Sequence, residues 1–154
     1  MNKTFLIAFL LIFTVSTACA QRNQRNRNEQ QHTISLTKAE FLERVMNFEK
    51  NPDEWIHLGD KPSIITFSAT WCAPCRRLAP ILNELAEQYA GQIYIYVIDV
   101  DREPALSSAF GVRSLPTLLF VPMDGLPQLA QGMLSREALV RVIEEVLLKK
   151  TPNP

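Results

Sequence analysis

Hydrophobic and polar positions along the chain predict a protein of alternating strands and helices. Three segments are continuous runs of apolar and β-branched residues, which are typical of strands buried on both faces of a sheet. They are 63–69, 93–100 and 117–121. A short strand is predicted at 33–36, and the Asp124–Gly125 turn should return the chain through a last strand at 128–131.

Four helices are predicted between and after these strands. A capping box at Thr37–Glu40 starts the first helix, which is expected to end at Asn51–Asp53. The second helix follows a pair of cysteines and should kink at Pro80, the third spans 104–110, and Ser135 caps the fourth. Apolar residues recur at helical spacing at Phe41, Leu42, Val45 and Phe48, at Leu78, Ile81, Leu82, Leu85 and Tyr89, and at Leu139, Val142, Ile143, Val146 and Leu147.

The order of these elements is β-α-β-α-β-α-β-β-α. It predicts an α/β fold with a mixed sheet of about five strands and helices on both faces. Trp55 and Leu58, in the loop after the first helix, are expected to pack on the core. At 154 residues, the chain is long enough for one domain with its own hydrophobic core.

Composition and charge limit where the domain begins and ends and which classes of partner are expected. The chain is 47% hydrophobic and 21% charged with no formal net charge, so nothing indicates nucleic acid or a membrane surface as partner. Residues 21–32 are almost purely polar and are predicted to be a disordered linker. Its three arginines fit a solvated spacer better than a basic contact arm. The domain is therefore expected at 33–149, with a flexible tail at 150–154.

The first twenty residues have the pattern of a secretory signal peptide. A charged start at Lys3 precedes an apolar run, and small residues follow it up to Ala20. The run is shorter than the roughly 20 residues of a membrane-spanning helix. Cys19 leaves a second interpretation, a lipoprotein signal cleaved before a lipidated cysteine, although Ser16 stands where such signals usually carry Leu or Val. Simple export is favoured, with a lipid anchor at Cys19 as the alternative.

Cys72 and Cys75 form a C-x-x-C pair, which is compatible with half of a zinc site, a structural disulfide or a redox-active dithiol. Zinc would need two more ligands, and neither His32, in the polar linker, nor His57, in a loop, has a neighbouring cysteine. A structural disulfide that closes so short a loop would constrain the unfolded chain little.

The surroundings of the pair favour reactivity. Cys72 is predicted at the end of a central strand and Cys75 in the first turn of the next helix. Unpaired amides and the helix dipole stabilise a thiolate there, so we expect a lowered pKa for Cys72. Pro74 suits the first turn, because the N–H that proline lacks would have no partner there. Arg76 and Arg77 add positive charge nearby, although simple solvent exposure would also explain them.

Four ordered motifs resemble the thioredoxin family. They are Trp71-Cys72-Ala73-Pro74-Cys75, Ala79-Pro80-Ile81-Leu82, Asp99-Val100-Asp101 and Gly111-Val112-Arg113-Ser114-Leu115-Pro116-Thr117. Asp124–Gly125 and Gly132 fall where that family has a hairpin turn and a groove glycine. The likeness covers about 33–149, and together with the signal peptide it is most similar to the exported thioredoxins of Gram-negative bacteria.

The resemblance implies a thioredoxin fold and a role for each matching residue. Cys72 would be the attacking thiolate and Cys75 the resolving thiol. Pro116 would be a cis-proline that faces the cysteines, although the sequence alone is also compatible with a trans proline at a strand edge. Leu115 would offer its backbone to a bound peptide. The shallow client groove would be formed by Trp71, Ala73, Pro74, Leu115, Pro116 and Gly132.

Spacing and motif narrow the implied activity to the reduction of protein disulfides. Forty-one positions separate Cys75 from Pro116, which leaves no room for the helical insertion of the strong disulfide oxidants. The C-A-P-C pair differs by one methyl group from the C-G-P-C of the reducing family. Its reduction potential is therefore expected nearer to the about −270 mV of thioredoxin than to the about −120 mV of the strong oxidants. Disulfide isomerase activity, or a client-binding chaperone with weak redox turnover, is the alternative.

The resemblance also implies partners and location. Disulfide-bearing client proteins would be the substrates, and a membrane or soluble thiol donor would restore the dithiol. No further cofactor and no metal are expected. We expect a monomer that is exported to the periplasm.

The chain departs from the family pattern at three positions near the cysteines. Thr66 stands where thioredoxins usually carry an Asp that helps to deprotonate the resolving cysteine; Val97 replaces a Lys, and Ser68 an aromatic residue. The losses are coherent, because a buried ammonium without its carboxylate would be costly. Two interpretations stay open: a core without charges at little functional cost, or slow resolution by Cys75, so that mixed disulfides persist.

Overall fold

A five-stranded mixed sheet lies at the centre of residues 32–150, the part of the chain that this computed structural model describes. Its strands are β1 (Ile34–Ser35), β2 (Ser63–Ser68), β3 (Tyr94–Asp99), β4 (Thr117–Val121) and β5 (Gln128–Gln131). They lie in the order β1-β3-β2-β4-β5; the first three are parallel, and β4 and β5 are antiparallel to their neighbours. β2 is therefore a central strand, as its continuous apolar run predicts.

Helices cover both faces of this sheet. They are α1 (Lys38–Arg44), α2 (Ala73–Gln88), α3 (Pro104–Ala109) and α4 (Arg136–Val142), which continues into a π-helical turn at Ile143–Leu147. Alternation along β2 and β4 divides the core. Ile64 and Leu118 pack with α2 and α4, whereas Ile65 and Leu119 pack with α1 and α3. The predicted mixed sheet with helices on both faces is confirmed.

The predicted helix caps are present. The Thr37 hydroxyl accepts the amide of Glu40, and the Thr37 amide donates to the Glu40 carboxylate at 3.0 Å. That backbone bond, with a second one from the Thr37 hydroxyl, lowers the pKa of Glu40. Ser135 accepts the amide of Ala138 at 3.2 Å. α2 runs without interruption through Pro80, so the kink stays a prediction.

α1 is shorter than predicted, since it ends at Arg44 rather than at Asn51–Asp53. The Val45 carbonyl accepts the amide of Leu58 at 2.9 Å, so the following loop takes a bond that a longer helix would have used. Leu58 makes this contact with its backbone, while its side chain is 45% exposed. The expectation that Leu58 packs on the core is therefore wrong, whereas Trp55 does pack on it.

Aromatic packing explains why apolar spacing overestimated α1. Phe48 lies in a turn beyond the helix, yet its ring contacts Phe41 of α1 with centroids 6.1 Å apart. Phe110, which follows α3, contacts both rings. Phe48 thus reaches the core without helical backbone, because a ring from a distant element receives it.

The other bounds agree closely with expectation. β4 and β5 have the predicted ends, and β1, β2, β3 and α3 are one or two residues shorter. Residues 1–31 and 151–154 lie outside the described part, so the signal peptide, Cys19, the linker up to residue 31 and the end of the tail stay predictions.

Contacts with the domain extend one residue beyond each end of the predicted 33–149. The His32 amide donates to Asn83 Oδ1 at 2.6 Å, and the Lys150 amide donates to the Glu144 carbonyl at 2.7 Å. Within residues 32–150, no helix has the length and apolar character needed to cross a membrane.

The division of the core predicts a large difference between two leucines. Leu118 is fully buried in β4, whereas Leu126 is 76% exposed. Leu118→Ala should lower the free energy of unfolding by about 2–5 kcal/mol, because it removes buried area and leaves a cavity. Leu126→Ala should change it by no more than about 0.5 kcal/mol. Urea denaturation of both variants measures this, and equal losses would contradict the assigned core.

Candidate active site

The cysteine pair lies where β2 feeds α2. β2 ends at Ser68, three residues turn the chain, and Cys72 is the N-cap of α2 with Cys75 in its first turn. The sequence predicts Cys72 at the end of the strand. In the structure a short turn separates it from β2. Pro74 lies in the first turn of the helix, as predicted.

Cys72 and Cys75 form a disulfide with their Cα atoms 5.3 Å apart, so the structure is that of the oxidised pair. Both residues are buried, at 4% and 5% exposure. They pack with Ala69 and, at the edge of this cluster, with Val100 and Leu115. Little of either cysteine is therefore exposed at the protein surface.

The helix N-terminus contacts one sulfur in particular. The Cys75 amide donates to Cys72 Sγ at 3.2 Å, and the Arg76 amide donates to the Cys72 carbonyl at 3.1 Å. The Arg76 guanidinium is tied to the Thr70 carbonyl at 2.9 Å, and Arg77 is exposed. After reduction, Cys72 Sγ would lie among amide donors at the positive end of α2, which stabilises a thiolate.

The two cysteines face different spaces. Cys72 lines a groove of about 640 Å³, here called the Trp71 groove, together with Trp71, Ala73, Pro74 and Leu115. Cys75 lines a hollow of about 320 Å³ between the start of α2 and the ends of β2 and β3, here called the Cys75 hollow. The structure thus brings four of the six predicted groove residues together beside Cys72.

Pro116 and Gly132 lie beside the Trp71 groove rather than in its lining. The Leu115–Pro116 peptide bond is cis, as the resemblance implied. The Gly132 amide donates to the Pro116 carbonyl at 2.8 Å, and Gly132 has φ +85°, a conformation that glycine adopts without strain. Gly132 thus holds the segment that carries Pro116, but neither residue forms the wall of the groove.

Sequence reasoning missed part of the groove. Its opposite wall comes from just beyond the end of β3, from α3 and from the loop before β4, at Val100, Pro104, Ser107, Val112, Arg113 and Ser114. It also missed Asp101, whose carboxylate accepts the Trp71 indole N–H at 2.8 Å. Trp71 is 65% exposed, so this bond orients a large apolar ring over the groove. The only sign in the sequence was the Asp99-Val100-Asp101 motif, which gave no role for the second carboxylate.

Thr66 lies behind Cys75. It is 3% exposed, and its register partners are Val97 on β3 and Leu118 on β4. Thr66, Ser68 and Val97 line a small cavity of about 40 Å³ against Cys75, here called the inner cavity. The residues described around it include no carboxylate and no ammonium group, so no charged base contacts Cys75 from that side.

The histidines lie away from the cysteines. His57 Nε2 is 3.2 Å from the Lys61 carbonyl, and His32 Nε2 is 3.8 Å from the Glu87 carboxylate. Across residues 32–150 no three His, Cys, Asp or Glu side chains are grouped so that they could hold a metal ion.

Comparison with known proteins decides the family. A sequence model of the thioredoxin family matches residues 32–145. The chain belongs to the thioredoxin family. It is 45% identical over 112 residues to a thioredoxin of Borreliella burgdorferi, and the matched region covers 73% of this chain and 95% of that protein. It is 33% identical over 114 residues to an M-type chloroplastic thioredoxin of Zea mays, over 74% and 68% of the two chains.

A solved structure agrees with this membership. The crystal structure of chloroplastic thioredoxin z matches with a TM-score of 0.59 at 26% identity, over 72% of this chain and 90% of that one. The sheet and helices described above are the thioredoxin fold. This thioredoxin is a protein-disulfide oxidoreductase, and thioredoxins act on disulfide-bearing protein clients without a cofactor.

The uncharged inner cavity leads to a prediction about the resolving step. Burial would raise the pKa of a carboxyl placed at position 66 toward neutrality, which is favourable for a general base beside Cys75. Thr66→Asp should therefore speed the release of a client held in mixed disulfide with Cys72 by about tenfold or more. Stopped-flow measurement of client-thiol release tests this.

Thr66→Asn is the matched control, since it has nearly the same volume and no basic carboxylate. It should leave the release rate close to that of the natural protein. Unchanged release in Thr66→Asp would show that a missing base does not slow Cys75. Equal acceleration in both variants would point to packing rather than proton transfer.

Proposed function

We propose that this thioredoxin is mainly a reductase of protein disulfides, with Cys72 as nucleophile and Cys75 as resolving thiol. The observation that carries the proposal is the orientation of the pair: Cys72 lines the Trp71 groove, whereas Cys75 lines the hollow behind it. A client in the groove meets only the sulfur that accepts the amide of the helix N-terminus.

The reaction has two exchange steps that balance. The Cys72 thiolate attacks one sulfur of the client disulfide, forms a mixed disulfide and releases the first client thiolate. Cys75 then loses its proton and attacks Cys72 Sγ, which breaks the mixed disulfide and releases the second client thiolate. The client gains two electrons, and the chain returns to the Cys72–Cys75 disulfide seen here. A thiol donor, membrane-bound or soluble, reduces that disulfide for the next cycle.

The Trp71 groove supplies the client contacts in this proposal. Trp71, Ala73, Pro74 and Leu115 present an apolar surface, and a large exposed indole in such a position is typical of a binding site. Asp101 fixes the indole, which lowers the entropy lost when a peptide binds. Pro116 and Gly132 support this surface from below, with the backbone of Leu115 offered to an extended client segment.

Isomerase activity is the second candidate, because the inner cavity lacks a charged base. A mixed disulfide that persists on Cys72 would give a client time to rearrange its own disulfides. A client-binding chaperone is a third candidate function, in which the groove binds the client and the sulfur atoms take no part. The reductase is favoured because Cys72 is both at the groove and at the helix N-terminus.

Cysteine variants separate these functions. The natural protein should reduce insulin in a donor-coupled assay, and Cys72→Ser should abolish this activity. Cys75→Ser should instead accumulate a mixed disulfide with the client, because Cys72 still attacks and nothing resolves the product. Mass spectrometry under non-reducing conditions detects that adduct.

The double variant Cys72→Ser/Cys75→Ser is the control for binding alone. It should lose all reductase activity, whereas a chaperone would keep its activity in an aggregation assay. Faster repair of scrambled ribonuclease than reduction of insulin would favour the isomerase. A trapped adduct through Cys75 in Cys72→Ser would contradict the proposed roles.

We propose further that the chain is exported to the periplasm as a monomer, with cleavage after Ala20. The support is the apolar run and small-residue end of the first twenty residues. Expressed in a Gram-negative cell, the mature protein should begin at Gln21 and should be processed in the same way in Cys19→Ser. N-terminal sequencing measures this. Palmitate labelling that Cys19→Ser abolishes would instead establish the lipid anchor.

A further inference from the structure

The Cys75 hollow is polar on the side that faces the sheet. Strand alternation places Thr66 and Ser68 of β2 on the face that α2 covers, and their register partners on β3 are Val97 and Asp99. Ser68 and Asp99 are neighbours at the ends of their strands, beside the first turn of α2. A carboxylate therefore lies at the wall of the same hollow that Cys75 lines.

The hollow exists because small side chains meet at this corner. Ser68, Ala69 and Ala79 stand where larger residues would fill the space between β2 and α2. The inner cavity of about 40 Å³ adjoins the hollow, and the two share Ser68, Cys75, Ala79 and Val97. Both spaces exceed the roughly 10–15 Å³ that one water requires, and hydroxyl groups line them. Exposed Thr70, Arg76 and Arg102 form the rim, so solvent enters from outside.

Asp99 is the carboxylate best placed to take a proton there. The one described hydrogen bond to its side chain comes from the Asp101 amide, at 3.0 Å to Oδ1. Glu103, the other carboxylate on the hollow, accepts the Lys38 amide at 3.1 Å and belongs to the turn before α3.

The remaining charged groups at the hollow are cations at its rim. Arg76 projects from α2 and Arg102 from the turn after β3, while the wall from 35–37 contributes hydroxyls and no titratable side chain. A guanidinium group cannot accept a proton, so neither arginine competes with the carboxylates as the acceptor.

We propose that Asp99 is the proton acceptor for Cys75, through water in the Cys75 hollow, and that this route replaces the buried base absent at Thr66. The inference rests on the proposed two-step exchange. The Cys75 S–H proton passes through water to the Asp99 carboxylate, and the electron pair stays on Cys75 Sγ. That sulfur attacks Cys72 Sγ, the bond between Cys72 and the client breaks, and the client leaves as a thiolate. Asp99 then returns its proton to solvent.

The test is a single-turnover measurement with a fluorescence-quenched disulfide peptide, in which attack and release appear as separate phases. In the natural protein, release should vary little with pH around neutrality, because Asp99 rather than hydroxide accepts the proton. In Asp99→Asn, release at pH 7 should be about tenfold slower or more. It should also rise about tenfold per pH unit, because hydroxide must then remove the proton. The attack phase should keep its rate.

Matched variants separate proton transfer from a general effect of charge. Glu103→Gln removes the same charge from the same hollow and should leave the pH profile of release unchanged. Asp99→Glu should restore much of the release rate. Ala79→Leu, which narrows the hollow without changing any charge, should also slow release and provides a test if Asp99→Asn does not fold.

A double variant gives the sharpest result. In Thr66→Asp, the new base beside Cys75 should make release insensitive to Asp99→Asn, so the two substitutions should not be additive. Natural-like release and pH profile in Asp99→Asn, or an equal shift in Glu103→Gln, would overturn the role of Asp99. Absence of the attack phase in the natural protein would instead overturn the proposed function.

Discussion

The contact on which the active site depends is the hydrogen bond from the Cys75 amide to Cys72 Sγ at the start of α2. It requires β2 to end in the core at Ser68 and only three residues to separate this strand from Cys72, the N-cap of α2. The core on both faces of β2 fixes that junction, because Ile64 and Ile65 anchor the strand to opposite layers. The junction of β2 and α2 therefore contributes both to the stability of the fold and to the stabilisation of the Cys72 thiolate.

The region behind the pair shows how this thioredoxin differs from the usual pattern. Thr66 and Val97 leave an uncharged inner cavity, which avoids the cost of burying a carboxylate and an ammonium group. The polar side chains on this face of the sheet are instead those of Ser68 and Asp99, which lie nearer the surface at the ends of β2 and β3. Cys75 thereby borders a hollow that is large enough for water, rather than a charged pair. Chemistry on the interior side of the disulfide then depends on water access, while client binding depends on the Trp71 groove.

The sequence predicted most of the fold because its signals were local. Apolar runs located β2, β3 and β4, and Thr37 and Ser135 marked two helix starts correctly. α1 was overestimated because Phe48 is held by a ring from another element. The cysteines and their neighbours were predicted from motif and resemblance. The far wall of the groove, the Trp71–Asp101 bond and the Cys75 hollow were not, since each joins residues from separate strands and helices whose contact no local pattern encodes.

The two cysteines are proposed to have different roles: Cys72 is the nucleophilic thiolate at the Trp71 groove, and Cys75 is a buried resolving thiol at the Cys75 hollow. The pH dependence of iodoacetamide alkylation in the reduced protein, resolved by peptide mass, tests this assignment most directly. Cys72 should be alkylated rapidly already below the ordinary ionisation of a thiol near pH 8.5, while Cys75 should react slowly throughout. Equal reactivity of the two cysteines, or faster alkylation of Cys75, would contradict it.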